Sequence, residues 1–347
     1  MEKSLFHSSG DFYKANLHGH TKVSDGRESV EEVKGIYKSM GYQILAYTDH
    51  DVMVDHSDLN DENFLALTSF EYEYTEPNPE NISFDFLKTY HFCLYAPRAD
   101  ETYYPQANPD YARIGNAANY VQEYYKGNAP HEFDIEQVNA LIEDAHAHGF
   151  LIAYNHPYWS INTAKDYEKM GPVDFMECGN TGCFLSGYVN DYTDTVYHEM
   201  LMNGHRCFPT ATDDGHSLKD YGKAWTMIKA DRLDFESVFA SMKRGDLYAT
   251  WGPEIHNILF DPESCTLKVQ GSPIRYISMM TERRAAHLAG NGKDLITEAC
   301  IDLTRYVEET KRYAKEPEKA FVRFVLIDAE GRKAVSRAYG FQELMEE

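Results

Sequence analysis

The 347-residue sequence predicts an α/β protein in which β/α units surround a parallel sheet or barrel over residues 1–252, followed by a small all-β, sandwich-like domain over residues 253–347. Three observations carry that reading. Short apolar runs alternate with helix-period segments through the first two-thirds of the chain, the pattern of β/α units. Histidines and carboxylates collect at the ends of those runs, the end of such a sheet where function sits. After Gly252-Pro253 the rhythm changes to extended segments joined by turns, without a comparable cluster.

The strand candidates are Tyr13–Leu17, Ile44–Thr48, Phe64–Phe70, Tyr90–Tyr95, Phe150–Asn155, Asp174–Cys178, Cys207–Ala211 and Ala224–Ile228. Between the first two, Ser29-x-x-Glu32 is a capping box, so a helix starts near Ser29 and runs to Met40, where Gly41 stops it. Phe133–His148 reads as an amphipathic helix ending at Gly149. Residues 98–131 break the rhythm: rich in Tyr, Asn, Pro and Gly and longer than an ordinary connection, they form an insertion or lid. Beyond Pro253, Ile255–Phe260, Thr266–Val269, Ile274–Thr281, Cys300–Val307 and Phe321–Asp328 are extended, and Ala329-Glu330-Gly331 turns the chain into Lys333–Ala338. The role expected for this part is structural, recognition or assembly.

Imidazole and carboxylate are ligands of divalent transition metals. His18-Gly19-His20 closes the first apolar run, and residues at i and i+2 of an extended segment point the same way, so both rings can reach one ion. Asp25 follows within one loop. Asp214-Gly215-His216 repeats the device after Ala211, and His50 and His156 close two further buried runs. Glu71 and Glu73 share a strand face, with Glu71 the choice to bridge two ions and Glu73 the competitor; His91 lies in the next strand. Asp213 competes with Asp214, and the D-x-H spacing favours Asp214. Asp49 and Asp213 are then candidates to orient imidazoles from behind. His146-Ala147-His148 is the internal control: in a helix these two diverge by about 200° and cannot share an ion. The expected ligands are therefore His18, His20, Asp25, His50, Glu71, His91, His156, Asp214 and His216, enough for two or three divalent metals. Mixed nitrogen and oxygen donors suit Zn, Mn or Fe better than Mg or Ca.

Composition narrows the partners. A formal charge of -23 argues against long nucleic acid, whose general affinity comes from clustered Lys and Arg. Three divalent ions bring about +6 against three carboxylates, an electropositive pocket suited to a small phosphorylated anion. Lys22, Arg27 and Arg113 are candidate phosphate contacts. The six cysteines show no C-x-x-C spacing and are expected to be reduced. Neither a signal peptide nor a run of roughly 20 apolar residues is visible, so no membrane partner and a cytoplasmic location are expected, with the oligomeric state open.

Taken in order, Asn16-Leu17-His18-Gly19-His20-Thr21, Ser24-Asp25-Gly26, Thr48-Asp49-His50, Glu71, His91, Asn155-His156-Pro157 and Asp214-Gly215-His216 resemble the motif set of the PHP superfamily, the polymerase and histidinol phosphatase metal-dependent phosphoesterases. The chain also resembles stand-alone bacterial members with a small β domain after the barrel. The resemblance implies a distorted (β/α)7 barrel with up to three metals. It further implies that His18, His20, Glu71 and Asp214 hold one ion, that Glu71, His91 and His156 hold a second, and that Asp25, His50 and His216 hold a third. The activity implied is hydrolysis of a small phosphoester by a metal-bridging hydroxide, with Glu71 bridging and, where the third site is partly empty, His50 or His216 protonating the leaving alkoxide. Two competing functions remain: hydrolysis of a carboxyl ester, carbamate or amide, and a non-catalytic binding module stabilised by its ions.

Overall fold

The computed structural model describes residues 2–345. Its backbone is a mixed α/β fold built on one 14-stranded sheet. From one edge the strands run His287–Ala289, Tyr276–Thr281, Phe321–Ile327, Lys333–Ser336, Leu247–Thr250, Trp225–Ala230, Asp11–Asn16, Ile44–Tyr47, Leu65–Thr75, Thr89–Tyr95, Leu151–Tyr154, Phe175–Asn180 and Phe208–Thr212, with Tyr339–Gly340 pairing beside Phe321–Ile327.

Each expected strand of the first two-thirds forms, because a run apolar on both faces is satisfied only when both are covered. All four residues of Ile44–Tyr47 and of Leu151–Tyr154 are buried. The first helix spans Val30–Ser39, with Ser29 and Glu32 exchanging the two capping-box hydrogen bonds. The second spans Ile135–Ala147, capped by Asp134 and burying Val138, Leu141, Ile142 and Ala145. The strand Thr89–Tyr95 runs antiparallel to both of its neighbours, so it presents its beginning, not its end, where the parallel strands present their ends.

Two expectations are corrected here. The sheet curls but does not close into a barrel through a ladder: among the described residues, the strands Asp11–Asn16 and Phe208–Thr212 meet beyond their ends through a single parallel bridge, Gly19 to Gly215. The C-terminal part is not all-β, and it shares the main sheet. Leu247–Thr250 pairs with Lys333–Ser336, so one ladder runs across residue 252, and the segment expected to be extended at Cys300–Val307 is a strand to Asp302 followed by the helix Thr304–Tyr313. A second sheet of four strands, Lys3–Ser4, Ile255–Asp261, Thr266–Ile274 and Ile296–Asp302, takes its edge strand from the N-terminus. A separate apolar core, including Ile258, Phe260, Leu267, Val269, Ile277, Phe324 and Leu326, joins residues of the two sheets. That packing is sandwich-like.

Residues 98–131 hold only short 3-10 turns, at Pro109–Tyr111 and Ala117–Tyr120. They are tied down onto the candidate site: Asn116 donates its backbone N–H to the Ser24 carbonyl at 2.9 Å and its side-chain amide to Lys22 at 3.0 Å, and the Tyr125 hydroxyl donates to the Asp51 carbonyl at 2.8 Å. Among the described residues no helix is long and apolar enough to cross a membrane.

Candidate metal centre

The two glycine-centred tripeptides lie side by side. Asp214 N–H donates to the His18 carbonyl and His20 N–H to the Gly215 carbonyl, both at 3.0 Å, and the Thr48 hydroxyl accepts from Gly19 N–H at 2.9 Å. Three strand ends are thereby locked together. Asp214 takes a left-handed backbone conformation, φ 46°, and His156 has φ 20°. Such conformations in non-glycine residues gather at functional sites, where surrounding structure holds them.

The side chains converge. His18 Nε2 is 3.1 Å from Glu71 Oε1, 3.3 Å from Asp214 Oδ1 and 3.3 Å from His20 Nε2; His20 Nε2 is 3.1 Å from Asp214 Oδ1 and 3.4 Å from Glu71 Oε2. Four donors at zinc bond lengths in a tetrahedron stand about 3.3 Å apart. The His18, His20 and Asp214 donors stand 3.1–3.3 Å apart, with one Glu71 oxygen 3.1 Å from His18 and the other 3.4 Å from His20.

Glu71 reaches in two further directions. Its Oε1 lies 3.1 Å from His91 Nδ1 and 3.4 Å from His156 Nε2, and its Oε2 lies 3.3 Å from His50 Nδ1. Towards the rim, Asp25 sits 3.5 Å from His216 Nε2, 3.7 Å from His20 Nδ1 and 3.9 Å from His50 Nε2. Side-chain donors of His20, Asp25, His50 and His216 all fall within 4.8 Å of one another. Glu73 stands further out on the same strand, 3.4 Å from the other face of His91.

Charge in this cup is poorly settled by the protein alone. Burial would raise the carboxyls of Glu71 and Asp214, yet the imidazoles around them hold both well below the usual carboxylate range. Burial opposes protonation of His91, but Glu71 and Glu73 push it up to about 10; burial and the neighbouring His20 bring His50 down to about 4. His20 Nδ1, His50 Nδ1, His91 Nε2 and Asp214 Oδ1 are buried without a hydrogen bond. Orphaned polar atoms in such a place are costly. Divalent cations among these donors would relieve that cost, so the residues fit the metals that the sequence implies.

Two adjoining cavities open from the cup. One, about 370 Å³, is lined by Phe84, Ile114 and Trp159 together with the acidic and imidazole groups. The other, about 270 Å³, is lined by Arg27, Ser186, Ser217 and Lys219, and the two share Trp159, Asp214 and His216. Asp191 fixes that shared wall, accepting from the backbone N–H groups of Tyr158 at 3.0 Å and Trp159 at 2.7 Å.

All nine expected ligands are therefore brought into one cup, and Arg27 lines its second cavity. Lys22 and Arg113 line neither: Lys22 pairs with Glu32 at 3.3 Å, and Arg113 lies over the Tyr111 ring and donates to the Asp110 carbonyl. Asp49 and Asp213 differ from expectation, because their oxygens are consumed by loops. Asp49 accepts from Thr21 and Ser24, through backbone and hydroxyl of each, and Asp213 from Thr181, Gly222, Lys223 and Ala224. Carboxylates that do stand behind ligand imidazoles are Glu177, 2.9 Å from His18 Nδ1, and, at a longer 3.4 Å, Glu73 beside His91 Nε2. The signal for Glu177 was a carboxylate set among the apolar residues Phe175, Met176 and Cys178 near the end of a strand candidate. His146 and His148 diverge, to Asp174 and to Asp144.

No family model and no curated protein matches this chain. Its structural neighbours include proteins described as metal-dependent phosphoesterases, one of them as PHP-like. A two-domain protein from Bacteroides vulgatus containing a predicted PHP-like metal-dependent phosphoesterase is similar over 95% of this chain and 96% of its own, at 11% identity and TM-score 0.42. A candidate metal-dependent phosphoesterase from Bifidobacterium adolescentis covers 60% of this chain and 90% of its own, at 13% identity and TM-score 0.33. The lesion-specific endonuclease PfuEndoQ from Pyrococcus furiosus covers 67% of this chain and 56% of its own, at 14% identity and TM-score 0.40.

Proposed function

We propose that this protein is a metal-dependent phosphoesterase that hydrolyses a small phosphorylated metabolite, using two or three divalent ions of the Zn, Mn or Fe class. The observation that carries the reading is the inner group of donors, 3.1–3.4 Å apart, formed from both glycine-centred tripeptides and Glu71. His18, His20, Glu71 and Asp214 hold one ion; Glu71, His91 and His156 a second; Asp25, His50 and His216 a third. Ions bound there polarise a phosphoryl oxygen and make water a stronger nucleophile at neutral pH.

The chain's own groups then divide the work. Glu71 presents one oxygen to each side of the cup and joins the donor groups. Arg27 and Lys219, on the wall of the second cavity, meet the charge of the incoming phosphate. Trp159, Phe84 and Ile114 form an apolar wall that limits water around the ester. His216 is the most exposed imidazole of the cup, with 37% of its side chain accessible against 7% for His50. With the outer group free of a cation, its Nε2 can protonate the leaving alkoxide. The formal charge of -23 favours a small substrate over long nucleic acid.

The test is purification with metal analysis, followed by assays on nucleotides, sugar phosphates, histidinol phosphate and short oligonucleotides. Release of phosphate from a small ester, abolished by chelation and restored by zinc or manganese, is the expected result. Turnover of a carboxyl ester or amide instead, insensitive to inorganic phosphate, would overturn the phosphorus assignment.

A further inference from the structure

We infer that Glu177 is the positioning residue of this metal centre: it fixes the tautomer of His18 and, with Asn180, ties three ligand-bearing segments to one buried carboxylate. The inference rests on the metal-centre reading of the cup. The side chain rises from the buried strand Phe175–Asn180 and is itself buried. Four donors surround it. Oε1 accepts from His18 Nδ1 at 2.9 Å and from the Thr212 hydroxyl at 2.6 Å; Oε2 accepts from the His156 backbone N–H at 3.0 Å and from the Asn180 amide at 2.9 Å. The same Asn180 amide donates to Asp214 Oδ2 at 3.0 Å, and the Asn180 carbonyl oxygen accepts from Cys183 N–H at 2.8 Å, which fixes which end of the amide faces the carboxylates.

A carboxylate has room for about four donors, and here those sites are filled. His18 must therefore carry hydrogen on Nδ1, which leaves the Nε2 lone pair aimed at Glu71, Asp214 and His20. The geometry also argues against Glu177 as a ligand of the same ion, because it lies on the opposite side of the ring.

Glu177→Gln preserves size but replaces one acceptor oxygen with an N–H2 group. Turned towards His18 and Thr212, that group faces a donor and forces hydrogen onto His18 Nε2; turned the other way, it faces the His156 N–H and Asn180. Either orientation damages the cup. Thr212→Val is the control, removing one hydrogen bond to the same carboxylate while leaving its contact with His18.

The experiment is zinc titration of the full chain against a competing chelator, with His ring 15N shifts recorded on the zinc-loaded protein. Expected is a loss of roughly 10–100-fold in zinc affinity for Glu177→Gln, the range for such supporting partners. Thr212→Val should stay within about threefold of the wild type, and the wild-type spectrum should show His18 protonated at Nδ1. Equal affinity in Glu177→Gln and wild type, or His18 binding zinc through Nδ1, overturns the inference and leaves the phosphoesterase reading standing. Zinc uptake with this pattern but no phosphoester turnover overturns that reading and leaves the inference. A wild-type protein that takes up no zinc overturns both.

Discussion

Asp194 stands where the curled part of the sheet meets the C-terminal strands, and replacing it with Asn tests how the two are held together. Its carboxylate, at the start of the helix Thr195–Met202, accepts from Arg323 Nη2 at 2.7 Å and from Lys333 Nζ at 2.9 Å. The Arg323 side chain is 0% exposed and that of Asp194 10%, so water screens this pair little. Burial alone would raise the Asp194 carboxyl, but Arg323 and Lys333 outweigh it and bring the pKa down to about 2 from an ordinary 3.8. A folded pKa below the unfolded one stabilises the native state above the unfolded value. This contribution, about 2 kcal/mol, is complete above about pH 4 and fades as the pH falls towards 2. Asp194→Asn also leaves a buried guanidinium without its counter-charge, which costs about 3–5 kcal/mol at neutral pH. Urea unfolding of both proteins at pH 7, 5 and 3, with chelator present so that cations contribute nothing, reads the difference. The gap should be about 4 kcal/mol at pH 7, within the range of broken buried pairs, and should narrow by about 1 kcal/mol at pH 3, where the unfolded chain has taken up the proton while most of the native carboxylate is still ionised. A gap that is the same at pH 7 and pH 3, or smaller than about 1 kcal/mol at pH 7, the level of an exposed surface pair, would refute the reasoning.

Three further outcomes follow from the cup. Glu71→Gln should purify with at least one ion fewer by elemental analysis and lose more than roughly 100-fold in phosphoesterase activity, since Glu71 lies between donor groups whose supporting partners alone are worth that much. Arg27→Ala should raise KM about tenfold with little change in kcat, the effect of losing one charge-assisted contact to a bound phosphate; an unchanged KM places Arg27 outside the substrate's reach. Adding zinc at 1,000 times its dissociation constant should stabilise the metal-free protein by about 4 kcal/mol, read as a rise in Tm; no shift would mean the cup does not close on the ion.

The site was more legible than the architecture around it. Local spacing suffices for His18-x-His20 and Asp214-x-His216, because i and i+2 on an extended chain share a face whatever the strand pairs with. Strand existence was equally legible, since Ile44–Tyr47 and Leu151–Tyr154 are apolar throughout. Pairing was not. Nothing in the run Thr89–Tyr95 announces that it lies antiparallel to its neighbours, yet that reversal is what brings His91, near its beginning, opposite Glu73 and beside Glu71. Closure was misjudged for the same reason: it depends on how far the sheet curls, a property of all its strands together. The roles of Asp49 and Asp213 were misassigned because adjacency to a ligand in sequence says nothing of where the carboxylate turns. Both lie next to ligands and face away, into loops, while Glu177 is remote in sequence and faces His18.

The bridge between Gly19 and Gly215 explains why the cup exists without a closed barrel. A ladder between the first and last curled strands would fix their spacing along their length, whereas here contact is made just past the strand ends, by the segments that carry ligands. Close approach is built in at Gly215, where a Cβ would stand 2.3 Å from the Tyr221 ring, a position that real atoms do not share. Tyr221 in turn donates to Glu28 at 2.9 Å, holding the chain that follows Asp25 against the segment that follows His216. The energy that orients these ligands therefore comes from tripeptides paired backbone to backbone, a capped loop on either side, and a tyrosine wedged beneath. Such a centre can tolerate an irregular sheet, because its geometry is set within a few residues of the donors themselves.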